Sequence, residues 1–412
     1  DHTAFADTVA RFFAEEVTPN KDAWTKAGVI PKTLWKKAGE LGILGATFPE
    51  DHGGLGLSRH FDAVTFLEQT KAGDSGWGVS VHNIAAHYIT AFGTEDQKAR
   101  WLPDLASGDK IAAIAMTEPG TGSDLQAVKT TAIRDGNEYL INGSKTFITN
   151  GATADLIVLV AKTDPGAKGR GVSLIIVETD GLEGFSVGRR LKKMGMKRND
   201  TAELAFEDVR VPLTNLLGSE EGLGFIQLMK QLPWERLILG FMALGSAQCA
   251  LDLTLDYVKE RKAFGQRIMD FQNTRFKLAE AATKIELLAA FCDQCLAELE
   301  QGRLTAEKAA MASHASALLA RDRRRSRGDE AGQRSTSAES TGTVAQSLAT
   351  EAWTTAARRI SWAIRASIRA SAAPLGRSST LSRSCTDAGA RNPAKGVPIC
   401  GLAPNHPRDR LP

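Results

Sequence analysis

The segment Ala115-Met-Thr-Glu-Pro-Gly-Thr-Gly-Ser-Asp124 sets glycines and hydroxyls directly after a short apolar run. With no Cβ at Gly120 and Gly122 the backbone can approach a planar ligand, and Thr117 and Ser123 offer hydroxyls and amides to its heteroatoms. Alone, a Gly-rich turn after a strand is more often structural than a cofactor site. Three segments keep it company: Lys145-Thr-Phe-Ile-Thr-Asn-Gly151, Trp234-Glu-Arg236 and Glu260-Arg-Lys-Ala-Phe-Gly265. Each has an ordinary structural reading. Phe147 and Ile148 suit a half-buried strand. Glu235 suits the first turn of a helix after Pro233, where the dipole favours a carboxylate, and Arg236 suits a helix surface. Arg261 to Gly265 suits a helix C-terminus with its cation and glycine cap.

The remaining reactive residues are less informative. Cys292-Asp-Gln-Cys295 has redox or zinc spacing, but it lies in an apolar-periodic helical stretch with no second Cys/His pair, so buried or half-buried thiols are expected and no metal. Five scattered cysteines make no disulfide framework. His52, His60, His82 and His87 lack ligand spacing and read as structural or surface residues. Apolar residues at 42% and charged residues at 24% fit a soluble globular protein of two or three domains. Neither a membrane span nor a basic-then-apolar leader is read, so a cytoplasmic enzyme is expected.

Around these residues the texture changes twice. From Phe5 to about Ser107 the pattern is helical, with Phe5, Val9, Phe12 and Phe13 on one face and Leu34, Trp35, Ala38 and Leu41 repeating the interval. From Ile111 to Leu217 short β-rich runs appear, such as Tyr139-Leu-Ile141, Leu156-Ile-Val-Leu-Val160 and Val172-Ser-Leu-Ile-Ile-Val177. Turns at Asp135-Gly136, Asn142-Gly143 and Asp164-Pro-Gly166 separate them. Helical stripes return from Gly222 through Leu299. The expected fold is α+β: a helical domain (1–108), a β domain (109–218), a second helical domain (219–320) and an aberrant tail (321–412).

From about Phe5 to Met311 the four segments, in this order, resemble the acyl-CoA dehydrogenase family. Leu41-Gly-Ile-Leu-Gly45, Phe48-Pro-Glu50, Gly53-Gly-Leu-Gly56, Phe92-Gly-Thr94 and Trp101-Leu-Pro103 extend the match. The resemblance implies a helical domain, a β-barrel-like middle and a C-terminal helical bundle, with FAD between the last two. It implies oxidation of acyl-CoA thioesters to enoyl-CoA. Glu235 would be the α-proton base, as in the isovaleryl- and long-chain-type branch with a Glu-Arg pair on this helix. Ser123 and Arg236 would line the substrate site. Met116, Thr117, Gly122, Ser123, Phe147, Ile148 and Thr149 would border the flavin, Phe147 standing where many members have Trp and Thr149 facing N5. Arg261, Phe264 and Gln272 would reach FAD across a subunit boundary, which implies a homodimer or homotetramer. Electron-transfer flavoprotein would be the electron acceptor.

After about Ala320 the resemblance stops. Residues 1–320 hold 35 Lys and Arg against 41 Asp and Glu, whereas residues 321–412 hold 16 against 7, and 15 of the tail's 16 cations are Arg. Arg321 to Arg327 has the charge of a nucleic-acid arm, but no aromatic platform accompanies it and no nucleic acid is expected. A frameshift is the leading explanation. Regrouping the codons that could encode Ala370 to Ser379 permits a Gly-Gly-Thr segment of the family type, and Ala349 to Ala352 permits His-Gly-Gly. An inactive remnant without a complete FAD site and a same-fold acyl-CoA oxidase are the alternatives.

Overall fold

Along Leu156-Ile-Val-Leu-Val160 every residue is buried, and alternate residues belong to different cores: Leu156, Val158 and Val160 face one, Ile157 and Leu159 the other. A strand apolar on both faces must be covered on both. The computed structural model describes residues 2–315, and there the coverage comes from helices on one side and from the curl of the sheet on the other.

Helices α1 (His2–Phe12), α2 (Lys21–Ala27), α3 (Lys32–Glu40), α4 (Arg59–Lys71), α5 (Val79–Phe92) and α6 (Glu95–Ser107) come first. The expected face of α1 is buried through Val9 and Phe12, and that of α3 through Leu34, Trp35 and Ala38. Leu41 is the exception, being 46% exposed, because α3 ends at Glu40 and its periodicity ends with it. Thr94 and Gln97 close a reciprocal cap at the start of α6, satisfying two end amides.

Strands β1 (Ala112–Ala115), β2 (Thr131–Asp135), β3 (Glu138–Ile148), β4 (Leu156–Lys162), β5 (Val172–Glu178), β6 (Phe185–Arg190) and β7 (Ala202–Pro212) form one sheet in the order β1-β4-β2-β3-β7-β6, with β5 also on β4. The pairing of β4 with β1, β5 and one residue of β2 bends the sheet on itself. Asp135-Gly136 makes the β2–β3 hairpin, Gly136 taking φ +64°. Asn142-Gly143 is no turn. It lies inside β3 at a register shift against β7, where Asn142 bonds Asp208 across the strands, so its turn-forming chemistry produces a bulge instead.

Helix α7 (Gly224–Glu260), a small hairpin of β8 (Lys262–Ala263) and β9 (Gln266–Arg267), α8 (Gln272–Glu300) and α9 (306–315) complete the described chain. By length and composition α7 could cross a membrane. Its buried stripe of Trp234, Leu237, Ile238, Phe241 and Leu244 packs into one core with α1, α3, α4 and α8, the arrangement of a core helix. Cys292 and Cys295 are buried, free thiols of α8 in that core, as their periodic context predicts. Helix α5 joins the parts: its Ala85, Tyr88 and Ile89 share a core with α6, with the outer face of β4 and β5, and with Leu228 of α7. Expectations placed on the tail, from Arg321–Arg327 to the 370–379 segment, lie outside the described residues.

Candidate active site where two helices meet the sheet

Glu235 sits well inside α7, so the first-turn reading is corrected: the helix begins at Gly224 and passes through Pro233. Proline costs that turn one backbone bond, but Leu228, Trp234 and Leu237 are buried on either side and hold the helix together. The carboxyl is half-buried and accepts a 2.7 Å hydrogen bond at Oε1 from the hydroxyl of buried Tyr88. Burial raises the Glu235 pKa above the usual carboxylate range, while the Tyr88 bond and the charge of half-buried Arg236 partly oppose the rise.

One residue back on both helices a second bond forms. Trp234 Nε1 donates to His87 Nδ1 at 3.1 Å, and the Arg59 guanidinium donates to the same nitrogen. Tryptophan and arginine only donate, so Nδ1 carries the lone pair and Nε2 the proton, which faces Asp62 Oδ2 at 2.9 Å. Burial, then the charge of Arg59, push His87 down to about 4, so it is neutral at neutral pH. Thr47 and Asn83 complete the bonding of Asp62, at 2.9 Å and 3.1 Å. His82 is likewise buried and structural, linking Leu105 to Ala112.

The 115–124 loop leaves the end of β1 and is tied to β3. Thr146 N donates to Thr117 O at 2.9 Å, and the Lys145 ammonium reaches Met116 O at 3.1 Å, Val160 O at 2.7 Å and Glu118 Oε1 at 2.8 Å. Glu118 in turn receives Thr130 N, the Thr130 hydroxyl and Lys129 N. Burial lowers Lys145 to about 8, Glu118 offsetting only part of the cost. Met116 packs on the core that holds Tyr88 and Leu228. Beyond it the loop opens, with Gly120, Gly122 and Ser123 exposed. A Cβ at either glycine would meet nothing within 4 Å, and neither has a left-handed φ. Among the described residues nothing requires glycine at these positions, whereas a flat ligand lying against the backbone would.

Phe147 completes this surface. It occupies the shift between Lys145 and Ile148 in the β3–β7 register with φ +60°, and its ring is 65% exposed. A left-handed backbone is costly for an aromatic residue and is usual where function fixes the geometry. Ile148 points the other way into the sheet core, so it can meet a cofactor only through its backbone, and Thr149 is half-buried.

Arg261, Phe264 and Gln272 lie elsewhere. Arg261 ends α7, but the glycine-cap reading is corrected, because Gly265 belongs to the β8–β9 turn, with φ +52° at Phe264 and +81° at Gly265. This turn twists as the strands do and leaves the Phe264 side chain 79% exposed. Gln272 opens α8 and is exposed. The 26 residues from 235 to 261 (261 − 235) at 1.5 Å each span about 39 Å along the helix. Glu235 and Arg261 of one chain therefore cannot touch the same ring system.

Sequence reasoning missed the buried polar contacts made by Tyr88, Lys145 and Glu118. The available signals were a phenol within an apolar helix and a lysine within an apolar strand, both of which need a partner once buried.

Three family models cover the chain: the N-terminal domain of acyl-CoA dehydrogenase over residues 1–109, the middle domain over 113–209 and the C-terminal domain over 222–358. The chain belongs to the acyl-CoA dehydrogenase family. Among curated acyl-CoA dehydrogenases, the mitochondrial long-chain specific enzyme of Mus musculus is 46% identical over 317 residues, covering 76% of this chain and 73% of the relative. The crystal structure of an acyl-CoA dehydrogenase from Geobacillus kaustophilus matches with TM-score 0.74 and 43% identity, covering 78% of this chain and 86% of that one. A glutaryl-CoA dehydrogenase from Mycobacterium smegmatis, solved in complex with FADH2, matches with TM-score 0.73 and 28% identity over 84% and 88% of the two chains. Acyl-CoA dehydrogenases are FAD flavoproteins, and this chain is an FAD-dependent dehydrogenase of acyl-CoA. The mouse enzyme's mitochondrial name lends no support to the cytoplasmic expectation. The C-terminal match to residue 358 also runs beyond the point near Ala320 where the sequence reading ended the resemblance.

Proposed function

We propose that Glu235 is the base that removes the α-proton of an acyl-CoA thioester. The observation that carries this reading is a half-buried carboxyl held between α5 and α7 by the Tyr88 hydroxyl, with burial raising its pKa above the usual carboxylate range as suits a general base. FAD bound there would supply hydride acceptance, the two-electron oxidation that the side chains of this polypeptide lack. Met116, Thr117, Gly122, Ser123 and Phe147, with the backbone of Ile148 and with Thr149, would hold it. Ser123 and Arg236 would also line the thioester site. The domain limits are read at 108, 218 and 320.

Arg261, Phe264 and Gln272 would serve the FAD of a second copy in a homodimer or homotetramer, a reading supported by the span of α7. Electron-transfer flavoprotein would reoxidise the enzyme, and rapid reoxidation of the pure protein by oxygen would instead identify an acyl-CoA oxidase. The composition change at 321–412 favours a second reading, a frameshifted and inactive descendant. The coding DNA across residues 311–325 separates the two.

The direct test of the base is Glu235→Gln. The variant should keep the oxidised flavin absorbance and lose bleaching by acyl-CoA by a factor on the order of 10² to 10⁴. Bleaching at the wild-type rate would assign the proton to another group.

A further inference from the structure

The hydroxyl of Tyr88 bonds Glu235 Oε1, and no described residue bonds Oε2. Both partners stand on rigid helices, and the adjacent His87–Trp234 bond fixes the same crossing one residue away. We propose that Tyr88 is a positioning residue for the base, gripping one carboxylate oxygen so that the other faces the substrate with its lone pair free. This rests on the reading of Glu235 as the base.

The physical need is specific. Burial alone favours the protonated acid, which cannot accept a proton, whereas a hydrogen bond donated to the carboxylate favours the ionised form. Tyr88 cannot lose its own proton in the working range, because burial and then the neighbouring Glu235 charge raise its pKa. It is therefore a permanent donor, unlike a histidine in its place. Arg236 on α7 favours the carboxylate, and His87 on α5 is neutral. Arg59 and Asp62 on α4 answer each other through His87, and Asp293 on α8 has His60 as its charge neighbour.

The test is Tyr88→Phe in the full-length, FAD-loaded protein, using the straight-chain acyl-CoA that the wild type turns over fastest. The folded pKa of Glu235 should rise, so the acid limb of kcat/KM should move to higher pH by about one to two units, the worth of one hydrogen bond to a charged group. Above that limb the rate should recover only in part, because the ionised carboxylate has lost the bond that orients its free oxygen. An infrared titration of the carboxyl band that disappears in Glu235→Gln should show the same displacement without turnover. An unmoved limb and band, or an equal loss of rate at every pH, would overturn the proposal. Should the Phe variant not accumulate, Tyr88→Leu refills the apolar space without a hydroxyl and must give the same displacement. Bleaching retained in Glu235→Gln fails the base reading itself, whereas bleaching lost there with no displacement in Tyr88→Phe fails the Tyr88 assignment alone.

Discussion

At Gly120 and Gly122 the side chain is absent without any steric or backbone reason among the described residues. Gly122→Ala should therefore leave the urea midpoint within the equivalent of about 0.5 kcal/mol of wild type, while weakening flavin binding roughly tenfold, or about 1.4 kcal/mol. Equal flavin affinity, measured by fluorescence titration, would remove this loop from the cofactor surface. The glycines and hydroxyls of the loop were legible because their types are unusual after an apolar run. Tyr88 and Lys145 were not, because each is a single polar group in an apolar segment, and its partner comes from residues distant in the chain: Glu235 for one, Glu118 and Val160 for the other. Periodicity reports which face is buried, not which hydroxyl meets which carboxylate.

At the scale of elements, the position of Glu235 depends on how closely α7 lies on its neighbours. It lies tight against α4 at Gly245, where a Cβ would fall 2.3 Å from Thr70 Oγ1 and 2.4 Å from the Leu67 carbonyl oxygen. Alanine gains about 1 kcal/mol of helix propensity over glycine, but it would have to displace backbone here. We expect Gly245→Ala to cost a net of roughly 1–3 kcal/mol by overpacking, read from the urea midpoint. A neutral or stabilised variant would mean that the two helices part easily. The strands β4 and β5 were legible as apolar runs, and α7 as a long stripe. Three local signals misled: Pro233 read as a helix start and Asn142-Gly143 as a turn, because tertiary burial overrode both propensities, and Gly265 as a helix cap, because it closes the β8–β9 turn.

For the whole molecule, the separation of Glu235 from the β8–β9 hairpin makes a distinct demand. If Arg261 serves the partner's site, a mixed assembly of Glu235→Gln chains with Arg261→Ala chains contains some sites with both wild-type groups. Co-expression should then restore turnover well above that of either variant alone, and purified mixed assemblies that stay as inactive as their parents would rule out sharing between chains. That the molecule divides into helical, β and helical parts was legible from texture alone. The joining role of α5 was not, since its pattern is apolar on several sides and gives no hint of three different partners.

Because α7 runs without a break between the proposed base and the proposed partner-facing hairpin, it would also work as a counting device. One residue inserted between 236 and 260 would turn everything beyond it by about 100° and advance it by about 1.5 Å, carrying Phe264 to a different side of the helix. Surface loops elsewhere can lengthen at little cost, but this stretch can change letters and not length.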